Sequence, residues 1–211
     1  SCDENSTVSV SASFNLSSPT RECFYRNNFL KPHETIDCLN SLLFNFSHQY
    51  DHIFLLINFG VHYNVVADGA HRFLNSKEHF LQNVPIAFNY LNNLGNNSKI
   101  TVAWMETFPQ HFNTSTGYFE NNLPNKICTQ IKNQTKEFDW RNEIVLNYIK
   151  EKQLQHIHYV HTRQIFLPLF SEHHNDDDCT HYCSSPMLYQ PIFDQLYHIL
   201  ASKQYELEGN K

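Results

Sequence analysis

The sequence predicts one α/β domain with a mostly parallel sheet. Three observations carry this: a continuous apolar run of strand length, Ile53–Ile57, with a second buried strand read at Lys99–Met105; helical periodicity in the segments between the strands; and a 211-residue chain with 41% hydrophobic content. A strand with no polar alternation is buried on both faces, which is the habit of parallel sheets covered by helices.

The elements follow in order. Residues 7 to 14 alternate small polar and apolar side chains and end before a Ser-Ser-Pro turn, so a strand is expected there. Residues 33 to 48 put Ile36, Leu39, Leu43 and Phe46 near one helical face. The first apolar strand, Ile53–Ile57, stops at Asn58-Phe59-Gly60. Residues 75 to 94 read as a helix through Phe80, Val84, Phe88 and Leu91, with Pro85 expected to kink it or to begin a new segment. Lys99–Met105 is the second buried strand, followed by a loop rich in Asn and Pro that carries Cys128. Asp139 is placed to cap a helix running to about residue 152, with Ile144, Leu146, Tyr148 and Ile149 as its apolar contacts. His156 to His161 forms a further strand, residues 165 to 187 a loop, and Leu188 to Ser202 a closing helix. Ligands of such sheets bind beyond the C-terminal strand ends.

Composition excludes several partners. A net charge of -6 with 15 Lys+Arg and no basic run argues against a nucleic-acid surface or an anionic-membrane surface. No apolar run approaches the roughly 20 residues that span a bilayer, and no signal-like segment opens the chain, so a processed form without a membrane span is expected. The six cysteines, Cys2, Cys23, Cys38, Cys128, Cys179 and Cys183, are scattered along the chain, which suits disulfides and an oxidising compartment. Cys179 or Cys183 is expected to join a distant partner such as Cys128. Asn5, Asn15, Asn45, Asn96, Asn113 and Asn133 each begin an Asn-X-Ser/Thr acceptor, so a glycoprotein that is secreted or held in the Golgi lumen is expected. No cofactor is expected.

The chemistry concentrates in Asp178-Cys179-Thr180-His181-Tyr182-Cys183, where a carboxylate precedes an imidazole by three residues between two cysteines. That is the composition of a general base and its orienting acid. The bland reading is a solvated acidic loop, since Asp176, Asp177 and Asp178 form a charge run. A zinc site is the chemical rival, with His173, His174, Asp176, Cys179, His181 and Cys183 as ligands, but disulfides compete for the cysteines. His156 and His158 share a strand face and read as packed or hydrogen-bonded side chains rather than ligands. Trp104, Phe108, Phe112 and Tyr118 read as core before they read as a sugar-binding surface. A triad also needs a Ser in a Gly-Asp-Ser type turn, and the sequence contains no Gly-Asp pair.

Residues 178 to 183 resemble the Asp-Cys-X-His-Trp-Cys block of the trichome birefringence-like and PC-esterase group of the SGNH (GDSL) hydrolase superfamily. Two further blocks agree in order and spacing: Asn58-Phe59-Gly60-Val61-His62-Tyr63 is similar to the group's Asn-X-Gly-His-Trp, and Glu106-Thr107-Phe108-Pro109-Gln110-His111-Phe112 to its Arg-Thr-X-Ser-Pro-X-His-Phe. Arg141-Asn142-Glu143 is similar to another segment, so the likeness covers roughly residues 7 to 202. The resemblance implies an SGNH-like three-layer α/β/α sandwich over residues 1 to 211, and acyl transfer on glycans, as O-acetyltransferase or acetylesterase. His181 would be the base, Asp178 its orienter, and Gly60, His62, Glu106 and His111 oxyanion or substrate residues. Glu106 replaces the group's Arg and Tyr182 its Trp. The nucleophile block and its strand would precede Ser1, so an N-terminal fragment or a partner chain is expected to complete the sheet beside residues 7 to 14. The alternative is a non-catalytic extracellular subunit that binds glycan or serves assembly on the same scaffold.

Overall fold

The computed structural model describes residues 32–61, 63, 76–115, 117–119, 127–131, 139–175 and 177–209. The strand expected at residues 7 to 14, and with it His62, Cys2, Cys23, Asn5, Asn15 and Asn133, lies outside them. Within them, β1 (Ile53–Ile57), β2 (Ile100–Met105) and β3 (Ile157–Val160) form a parallel sheet in that order. Ile53 pairs with Ile100, and Val102 with Ile157. The helices are α1 (Pro32–Ser47), α2 (Lys77–Gly95), α3 (Trp140–Glu151), the short α4 (Arg163–Phe166) and α5 (Pro186–Gly209). The apolar run Ile53–Ile57 is therefore a strand, as is Ile100–Met105, and helices fall between the strands as the periodicity requires.

Alternation along β2 divides the core. Ile100, Val102 and Trp104 point to one face and join Leu55, Ile57 and Tyr159 in a cluster with Phe80, Val84, Phe88 and Leu91 of α2 and Trp140 and Val145 of α3. Ala103 and Met105 point to the other, where Phe54, Val160 and Phe166 meet Tyr182, Ile192 and Leu196. Apolar side chains from helices thus meet both faces of β2, while Leu56 of β1 stays exposed. Trp104 is wholly buried, its ring 5.1 Å from Tyr159, 5.8 Å from Phe88 and 6.4 Å from Phe59. Of the aromatic residues considered for a sugar surface, Trp104, Phe112 and Tyr118 are buried, and Phe108 packs on Phe166 and Tyr182.

Three local expectations are corrected. Helix α2 runs through Pro85 as one element, so no new segment begins there. The bond that Pro85 cannot make is to the carbonyl of Leu81, an exposed residue. Asp139 stands at the N-cap of α3 but its side chain caps no helix N–H. It instead accepts from Asn142 Nδ2 at 2.7 Å and pairs with Arg163 at 3.2 Å. Finally, residues 165 to 187 are not a loop: they hold the last two residues of α4 and an antiparallel hairpin, β4 (His173–Asn175) and β5 (Asp178–Tyr182), with His173 opposite Tyr182.

Candidate functional site

Asp178 and His181 lie on β5, and the structure brings them together. His181 Nδ1 is 2.8 Å from Asp178 Oδ2, while Asp178 Oδ1 accepts from the backbone N–H of Thr180 at 3.1 Å and of His181 at 3.2 Å. Residues three apart on a regular strand face opposite ways. Here the carboxylate turns back on its own backbone at the start of β5, and the irregular pairing between His173 and Asn175 breaks the register, so the two side chains meet. Burial works to raise the Asp178 pKa, but the hydrogen bond from His181, the two backbone N–H groups and the His181 charge outweigh it and hold it below the usual range. An ionised carboxylate only accepts, so Nδ1 carries a proton, and in the neutral imidazole Nε2 is then the acceptor. The His181 side chain is 62% exposed, which leaves Nε2 open to a reacting group.

The strand beneath this pair is clamped to the segment that follows β2. Cys179, wholly buried, is bonded to Cys128 across 51 residues. His111 N–H donates to the Cys179 carbonyl at 2.9 Å, Gln110 Nε2 donates to Thr180 Oγ1 at 2.8 Å, and the Tyr182 hydroxyl donates to the Pro109 carbonyl at 2.8 Å. Cys183 is disulfide-bonded as well. With Cys179 in a bridge, the zinc ligand set considered from the sequence loses a member. Closing a loop of this length restricts the unfolded chain by roughly 4 kcal/mol. Replacing Cys128 and Cys179 together by Ala is expected to lower unfolding free energy by about that amount in non-reducing denaturant titrations. A loss below about 1 kcal/mol would show that the hydrogen bonds alone hold β5.

The other residues singled out from the sequence serve the strand ends. Gly60 follows β1 at φ +133°, and a Cβ there would stand 2.6 Å from Thr107 Oγ1, so only glycine fits. Thr107 Oγ1 donates to the Phe59 carbonyl at 2.9 Å, and Asn58 Nδ2 donates to the carbonyls of Met105 at 2.9 Å and Glu106 at 3.0 Å. Asn142 completes the lacing: its Oδ1 accepts from Thr107 N–H at 2.8 Å, and its Nδ2 donates to the Thr107 carbonyl at 3.0 Å. Glu106 is 6% exposed. Its carboxylate accepts from the Tyr159 hydroxyl at 2.8 Å and from the backbone N–H groups of Thr162 at 2.7 Å and Arg163 at 2.9 Å. Every one of these partners is a donor, which is why a carboxylate and not a guanidinium suits this position. No hydrogen bond joins Glu106 to Asp178 or His181.

Beside these strand ends Thr107, Phe108, Pro109, Tyr118, Asp139 and Arg141 line a small cavity. Arg141 is buried, donates through Nε at 2.8 Å and also through Nη2 to the Tyr63 carbonyl, and lies 4.1 Å from the centre of the Tyr118 ring. Burial pushes its pKa down to about 10 and that of Asp139 up to about 7, the latter against the pull of Arg163.

His111 is wholly buried. Its Nδ1 is 2.7 Å from His173 Nε2, its Nε2 is 2.9 Å from the Leu167 carbonyl, and His173 Nδ1 is 3.2 Å from the His181 carbonyl. Burial lowers both pKa values, that of His173 to about 4 with the neighbouring His111 adding to the effect. His111 thus reaches the dyad through His173 and the backbone, not side chain to side chain. The sequence marked His173 only as a possible ligand, and gave no sign of the roles of Gln110, Thr107 or Asn142, whose partners are distant in the chain.

The acceptors Asn96, after α2, and Asn113 are exposed, while the side chain of Asn45 in α1, like that of Cys38, is not described. Among the described residues no helix is long and apolar enough to cross a membrane. Comparison of the chain with protein families and with curated proteins finds no match.

Proposed function

We propose that this chain carries the acid–base half of an acyl-transfer site acting on ester-linked acyl groups of glycans, chiefly acetyl. One observation carries the reading: the 2.8 Å contact that commits His181 Nδ1 to Asp178 and leaves Nε2 exposed as a base. In the reaction, a Ser hydroxyl supplied by an N-terminal fragment or a partner chain attacks the acyl carbonyl. His181 Nε2 takes its proton and then returns it to the departing sugar oxygen, while Asp178 stays ionised and stabilises the imidazolium. The Gly60 turn and His62 supply the oxyanion donors that the family resemblance implies. The edge of β1 away from β2 suits an added strand, because among the described residues β1 pairs with β2 alone. Disulfides and exposed glycan acceptors support a route through the secretory pathway.

The second reading is a non-catalytic subunit that binds glycan or serves assembly, favoured by Glu106, which stands where the resembled group has Arg and whose carboxylate is engaged by Tyr159 and the backbone of Thr162 and Arg163. Acetate release from an acetylated oligosaccharide by the native glycoprotein, with any polypeptide that copurifies, separates the two. Turnover together with covalent capture by a fluorophosphonate is expected. Binding of the glycan with neither turnover nor capture would establish the second reading.

A further inference from the structure

Asp178 and His181 meet at one end of β5, and whatever fixes the two residues between them fixes the pair. Two ties from the segment after β2 end there. The backbone N–H of His111 donates to the Cys179 carbonyl at 2.9 Å, a bond that any residue but proline could make at position 111. Gln110 Nε2 donates to Thr180 Oγ1 at 2.8 Å, and this bond depends on the side chain at 110. Thr180 passes the restraint on: its backbone N–H donates to Asp178 Oδ1 at 3.1 Å, and Asp178 Oδ2 holds His181 Nδ1 at 2.8 Å. A buried amide is thus linked, contact by contact, to an imidazole whose side chain is 62% exposed.

Stability alone does not account for an amide at this place. Gln110 is 4% exposed, and among the described residues no donor reaches its enclosed Oε1. A desolvated carbonyl oxygen without a partner costs about as much as one ordinary hydrogen bond returns, and an apolar side chain of similar length would fill the same space without that cost. What the amide adds is the bond to Thr180. We infer that Gln110 is a positioning residue for the dyad: through Thr180 it fixes the N–H that orients the Asp178 carboxylate, and with it the His181 imidazole. Burial raises the Asp178 pKa, and the Thr180 N–H is among the donors that bring it below the ordinary range, so a loosened Thr180 leaves a less firmly ionised orienting acid. The consequence for turnover rests on the proposed function; the restraint on the dyad does not.

The test uses the intact, disulfide-bonded protein and two variants of nearly conserved volume, Gln110→Met and Thr180→Val, each of which removes one end of the bond. In hydrogen exchange the amide of residue 180 should lose protection in both, while the His111 amide, bonded to the Cys179 carbonyl, keeps its own. With ¹⁵N-labelled histidine, His181 should show the Nδ1–H tautomer in the parent and a mixture of tautomers in the variants. In acetate release, kcat should fall on the order of 10- to 100-fold with KM unchanged, because Gln110 is buried away from any glycan. The double variant should be no slower than either single one. An unaltered residue-180 amide and His181 tautomer in both variants would overturn the inference, as would losses that add in the double variant. So would a Gln110→Met protein that loses protection at His111 together with residue 180, since the amide would then be holding β5 as a whole. If no form turns over, the acyl-transfer reading fails, while exchange and tautomer still decide the role of Gln110.

Discussion

His181→Ala is expected to abolish acyl-group turnover in the native assembly, and Asp178→Asn to reduce it on the order of 10⁴-fold, while neither changes the thermal midpoint appreciably. The asymmetry between activity and stability follows from exposure: the His181 side chain is 62% exposed and packs into neither hydrophobic cluster. In Asp178→Asn the amide oxygen can still accept from the N–H groups of Thr180 and His181. Its nitrogen, however, would donate toward His181 Nδ1 and drive the ring proton to Nε2, where it blocks the base. Parallel measurement of acetate release and of melting curves checks this. Full turnover in either variant would remove the assigned role from that residue.

Glu106→Ala should act in the opposite sense, through the fold. Its carboxylate closes four contacts, to Tyr159, His161, Thr162 and Arg163, in a place where water hardly reaches. Truncation strands buried donors, and about 3 to 5 kcal/mol of stability is expected to be lost. Glu106→Gln should lose less, because one oxygen remains an acceptor. Glu106→Arg, the residue type of the family that the sequence resembles, should be the worst of the three, since it sets donors against donors. Urea titrations rank the three; an Arg variant as stable as the parent would show that the surrounding donors turn readily to other acceptors.

What was legible in the sequence was whatever depends on burial alone. Ile53–Ile57 is a strand from end to end because its apolar run has no polar alternation, and α2 and α3 follow their apolar spacing. The hairpin was not legible. His-His-Asn and Asp-Cys-Thr-His-Tyr offer no apolar alternation, and what holds them as strands is contact with Pro109, Gln110, His111 and Cys128, residues far away in the chain. Asp139 shows the same limit at one residue: its position as an N-cap could be read, but Arg163 and Asn142 decide where its carboxylate points. The dyad was legible because its partners are neighbours in sequence.

That difference in separation has a counterpart in time. Asp178 and His181 are three residues apart and belong to one hairpin, so their meeting requires little chain to be ordered. Gln110 and Thr180 are 70 apart, and bringing such a pair together costs about 4 kcal/mol of chain entropy before any contact forms. The carboxylate and imidazole can therefore find each other on a hairpin that is still adrift, within the microseconds typical of hairpin formation. Only when the sheet has gathered its distant strands does the pair acquire a fixed place. A molecule caught part-way through assembly would hold the catalytic-type contact without the frame that aims it.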